Sequence, residues 1–105
     1  MNSWIYLFLA GLFEISWSIS LKFTEGFSKI FPSVLTVIGM IASFAFLSIA
    51  LKKLPLSIAY AIWTGIGIAG TSVLGVIIFN ETISITKIFF IGLIVVGILG
   101  LRLTN

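Results

Sequence analysis

In the stretch FLAGLFEISWSISLK, residues 8–22, an acidic side chain, Glu14, interrupts an otherwise apolar and small-residue run. No basic residue lies at a similar depth in this or any other apolar stretch of the chain. A carboxyl group so placed has two chemical options. It can hold a proton, or it can release that proton and hold a cation, which is the exchange a proton-coupled antiporter needs. Side chains suited to a cation recur at helical spacing. Gly11, Glu14, Ser18 and Leu21 share one side of a helix, with Trp17 at its edge. Thr36, Met40, Ser43 and Leu47 align in a second stretch, and Tyr60, Trp63, Gly67 and Thr71 in a third. Aromatic faces attract cations, and hydroxyl groups can orient a carboxylate or accept from an N–H donor. Each stripe alone is ordinary packing; around a lone glutamate they make a cation site.

The elements that must position these residues follow from composition. Of 105 residues, 60% are hydrophobic and 9% charged, against about 25% charged in a soluble domain. So little polar surface cannot coat a water-soluble bundle, whose helices are seldom apolar all round. Four stretches reach the roughly 20 residues that cross a bilayer: about 4–21, 30–51, 56–79 and 85–103. An all-α membrane protein of four transmembrane helices is expected, folded as a single domain over 1–105. The links KFTEGFSK, KKLP and NETIS are too short to carry a function of their own. Pro32 falls in a first turn, where proline is tolerated, and Thr82 or Ser84 can cap the fourth helix. Trp4 suits the membrane interface. Glu14, ten residues on, lies about 15 Å deeper, near the middle of a hydrocarbon core about 30 Å thick. A charge there costs about 2.5–3.5 kcal/mol on insertion scales, and such residues mark ion pathways or proton relays.

Other classes are excluded. The chain has no cysteine and no histidine, so disulfides and the usual zinc and copper sites are out. The six Lys and Arg are scattered and make no nucleic-acid patch. No signal peptide is expected. GIGIAG, residues 65–70, matches G-x-G-x-x-G, but it lies inside a membrane span rather than between a strand and a helix. Gly65 and Gly67 there are read as helix packing or flexibility, as is Gly11. No cofactor, metal or enzymatic chemistry is expected. The fourth stretch, with Gly92, Gly97 and Gly100 and no charge between Lys87 and Arg102, reads as a dimerisation helix.

Basic residues normally gather on the cytoplasmic side. Here Lys52, Lys53 and Arg102 fall on one side and Lys22, Lys29 and Lys87 on the other, three against three. Some other feature sets one orientation, or the chain inserts both ways and opposite copies pair as an antiparallel, dual-topology homodimer. Larger transporters build such inverted symmetry from internal repeats.

GLFEISW, LKFTEGFSKIFPS, LPLSIAYAIWTGIGIAG and GILGLRL together cover nearly the whole chain. In them it resembles the small multidrug resistance family of four-helix transporters. The resemblance implies antiparallel dimers in the bacterial inner membrane that exchange protons for cations by alternating access. It places the essential glutamate on Glu14 and the aromatic pair of the third helix on Tyr60 and Trp63. It also implies that Trp17 and Ser43 hold the carboxylate, and that Tyr60 sits between subunits. Trp17, three residues after the glutamate, together with Ser43 and GLRL, is similar to the guanidinium exporters of the family. Ile58 and Ile68 resemble the multidrug branch, and Ser18 replaces a common alanine. Guanidinium export, extending to substituted guanidinium ions, is the favoured expectation. The alternative is a broad-specificity quaternary ammonium antiporter. Two further readings are a small ion channel, which if selective for anions would not place a bare carboxylate at its midplane, and one half of a heterodimer, against which the balanced charges speak.

Overall fold

The computed structural model describes residues 2–104. Four helices follow one another: α1 (Ser3–Phe23), α2 (Ile30–Ala50), α3 (Leu56–Phe79) and α4 (Ile85–Thr104). There are no strands among the described residues. Each helix is long and apolar enough to cross a membrane.

Local chemistry sets the helix ends. Asn2 caps α1, its Oδ1 accepting from the backbone N–H of Trp4 at 2.8 Å. Thr24 follows α1 and is fully buried. Its hydroxyl donates to the Leu21 carbonyl at 2.7 Å and accepts from the Phe27 N–H at 3.1 Å. This anchors a tight reversal in which Glu25, Gly26 and Phe27 all adopt positive φ. Pro32 lies in the first turn of α2, where no intrahelical donor is lost. α3 starts after Pro55 and ends at Asn80, which takes the left-handed conformation common at helix C-termini. Of the two candidate caps for α4, Ser84 accepts from the Lys87 N–H at 3.2 Å.

α1 is the central helix. It packs antiparallel to α2 on one side and parallel to α3 on the other, while α2 and α3 barely meet. α4 contacts α3 and has no buried residue. The first and third links lie at the same end of the bundle, where Lys22 Nζ approaches Glu81 Oε2 at 3.5 Å and sits over the Phe79 ring. At the opposite end the Arg102 guanidinium stacks over the Trp4 ring, 4.5 Å from its centroid. The core centres on Leu7, Ala10, Leu47, Ala50, Ala59, Ile62 and Trp63. Large apolar side chains elsewhere face outward, including Ile30, Phe31, Ile85 and Phe89. That surface would be unstable in water and is at home in lipid.

Candidate functional site

Side chains on α1 alternate between two neighbours because successive residues turn by about 100°. Toward α3, the packing runs in register. The positions where Cβ atoms of Gly11, Gly67 and Gly70 would stand are taken by Ile66, Glu14 and Ile15 respectively. One step further, the Ser18 and Thr71 hydroxyls are 2.7 Å apart. Toward α2, a Cβ on Gly39 would come within 2.8 Å of the Trp17 Cβ, and the buried Ser43 hydroxyl donates to the Ala10 carbonyl at 2.7 Å. Glu14 belongs to the α3 row, its carboxylate lying against Gly67.

α2 and α3 are joined by a buried hydrogen bond. The Trp63 indole Nε1–H donates to Ser43 Oγ at 2.9 Å, so α1, α2 and α3 are tied by one buried hydroxyl. The Trp63 ring is edge-on to Tyr60, with centroids 5.2 Å apart, and to Phe44 at 5.7 Å. Tyr60 itself is 52% exposed and forms the open rim of this cluster. Gly65 is turned away from it, toward Ile98 and Ile94 of α4.

Polar satisfaction separates scaffold from site. The Thr36 hydroxyl donates to the Pro32 carbonyl at 2.8 Å and lies 2.9 Å from that of Ser20. Ser20 also reaches Pro32, at 3.1 Å. Among the described residues, three buried side-chain atoms have no partner: Glu14 Oε1, Trp17 Nε1 and Thr64 Oγ1. In an apolar setting such atoms cost free energy, and unpaired groups in a folded protein call for an explanation. Two are chemically complementary, since Oε1 accepts and Nε1 only donates.

The structure thus brings Glu14, Gly67 and Gly11 together on the α1–α3 contact. It joins Ser43, Trp63 and Tyr60 in one cluster, and sets Trp17 against Gly39. Ser43 is committed to Ala10 and Trp63, so within one chain its hydroxyl bonds neither Glu14 nor Trp17. Sequence reasoning did not find Gly39, the Ala10 carbonyl or Thr64. Gly39 lies between Thr36 and Ser43 at helical spacing, a pattern that could have flagged it; the other two carry no such signal. A cleft of about 990 Å3 between the end of α3 and the start of α4, walled by Val73, Val76, Ile77 and Phe90, does not include Glu14.

Four lipid-compatible helices enclosing an unpaired carboxylate define a multi-pass membrane protein with an ionisable interior site. The family profile described as Small Multidrug Resistance protein matches residues 2–94. A protein of Proteus vulgaris named Guanidinium exporter is 50% identical over 98% of this chain and 99% of its own length. Proteins of the same name from Yersinia pestis and Salmonella typhimurium strain LT2 are 47% and 48% identical. They align over 98% and 97% of this chain, and 99% and 97% of their own lengths. The chain belongs to the small multidrug resistance family. Its four spans and these bacterial relatives make it a multi-pass protein of the bacterial inner membrane.

Proposed function

We propose that this chain acts as an antiparallel, dual-topology homodimer that exports guanidinium, and substituted guanidinium ions, in exchange for protons. The observation that carries the reading is the Glu14 carboxylate, with Oε1 buried and unpaired in a membrane helix. A proton or an N–H-bearing cation satisfies it equally well, and the two cannot occupy it together. The names of the relatives support the choice of cation.

A planar guanidinium suits the site because its N–H groups match carboxylate oxygens in pairs. The Trp17 indole N–H cannot bind a cation, being a donor only. It suits the carboxylate, three residues away on the same helix, once substrate or a second chain adjusts the geometry. Tyr60 and Trp63 offer ring faces to the bound charge.

A second copy is supported by what one chain leaves uncovered. Tyr60 stands half-exposed at the rim, α4 buries nothing, and Gly92, Gly97 and Gly100 have open space before them. The three-against-three basic residues favour opposite insertion of the two copies. Two Glu14 carboxylates then share one cavity, and occupancy by protons or by cation permits the exchange of inward and outward openings.

The decisive experiment compares substrates in proteoliposomes on a solid-supported membrane. Guanidinium should drive current and tetraphenylphosphonium should be a poor substrate, with Trp17→Gly improving the latter at guanidinium's expense. Robust tetraphenylphosphonium current without any guanidinium current would replace this reading with the quaternary ammonium one. Guanidinium flux that ignores a proton gradient would indicate a channel.

A further inference from the structure

Thr64 carries the third unpaired buried atom, and nothing in the mechanism above uses it. Some other hydroxyls on the spanning helices bond back to their own backbone, as Ser16 does to Leu12 at 3.1 Å and Thr36 to Pro32 at 2.8 Å. The corresponding acceptor for Thr64 is the Tyr60 carbonyl, and that bond is not made. Thr64 follows Tyr60 by four residues and precedes Gly67 by three. Residues so spaced are neighbours on a helix surface, with Cβ atoms about 5–6 Å apart. The Glu14 carboxylate lies where the Gly67 Cβ would stand. The Thr64 hydroxyl is therefore about one helical turn from that carboxylate. It is buried although its row neighbours Tyr60 and Ile68 are 52% and 45% exposed.

Two unpaired acceptors about a turn apart in an apolar span suit a small cation with N–H groups on more than one edge. We infer that Thr64 is a further substrate contact, its hydroxyl accepting one N–H of a guanidinium-type cation held by Glu14. The hydroxyl is uncommitted within the chain and keeps both lone pairs for this role. A cation without N–H groups gains nothing from it, so Thr64 adds discrimination as well as affinity. This rests on the guanidinium reading of the site.

The test uses full-length protein in proteoliposomes with guanidinium as the probe. Thr64→Val keeps the shape and removes the acceptor. It should raise the KM for guanidinium about tenfold or more, the range expected for a hydrogen bond to a charged group, with the maximal current little changed. Thr64→Ser, which restores the hydroxyl without the methyl group, should return KM to near the unmodified value. The pH midpoint for proton release without substrate should stay where it is in both variants, which a distorted helix would not allow. An unchanged KM in Thr64→Val, with guanidinium current intact in the unmodified chain, overturns the role of Thr64 alone. So does a Thr64→Ser variant as impaired as Thr64→Val. No guanidinium current in the unmodified chain overturns the guanidinium reading and this inference with it.

Discussion

The Glu14 carboxylate occupies the place over α3 where a side chain at Gly67 would begin. The acidic group of one helix is thus seated directly on the backbone of another, and a Cβ at this position would require the carboxylate to shift. Gly67→Ala should force the carboxylate aside. Overpacking of this kind costs about 1–3 kcal/mol. The expected result is a loss of guanidinium current of about tenfold or more while the variant still reconstitutes. Measuring current and thermal stability on the same preparation checks this, since equal losses in both would point to general unfolding.

Ser43 joins three helices through one oxygen. Ser43→Ala leaves the Trp63 indole N–H without its acceptor and the Ala10 carbonyl without its donor. Removing one partner from a buried hydrogen bond costs about 1–3 kcal/mol. We expect lower stability in detergent, together with a changed Trp63 fluorescence as the ring loses its fixed edge-on contacts with Tyr60 and Phe44.

The proposed competition of proton and guanidinium at Glu14 predicts a pH dependence. Lower pH favours the protonated carboxyl, so the apparent affinity for guanidinium should weaken as pH falls. Glu14→Gln removes the titrating group and should abolish proton-driven transport in a protein that still folds. Glu14→Asp should keep some activity with a displaced pH profile. Glu81→Gln is the control: its pairing with Lys22 is solvent-exposed, worth about 0–1 kcal/mol, and transport should persist. Uphill transport by Glu14→Gln on a proton gradient would defeat the proposed mechanism.

Insertion can be read chemically, because the chain has no cysteine of its own. Thr104→Cys, at the end of α4, should label from both faces of the membrane in comparable amounts. Two lysines added to the link between α2 and α3 should bias the orientation and reduce activity. Labelling from one face alone would rule out the antiparallel homodimer.

Membrane helices are unusually legible one residue at a time. Length and hydropathy mark the four helices, because a span must be apolar and must satisfy its own backbone. The same economy exposes Glu14: a carboxylate in hydrocarbon is costly enough to stand out without any knowledge of its neighbours. Helical spacing also groups Tyr60, Trp63 and Gly67 on one face, since that depends only on the turn per residue. None of this says which helix faces which. The bond from Ser43 to the Ala10 carbonyl spans 33 positions and that from Trp63 to Ser43 spans 20. The seat of Glu14 on Gly67, the contact of Trp17 with Gly39 and the unpaired hydroxyl of Thr64 arise only when three helices are brought together. Small residues on several faces could each accept a neighbour, and interhelical packing chooses among them. The choice of α1 as the central helix, with α4 left at the margin, is decided by the fit of those surfaces, because apolar side chains gain little from leaving lipid for one another.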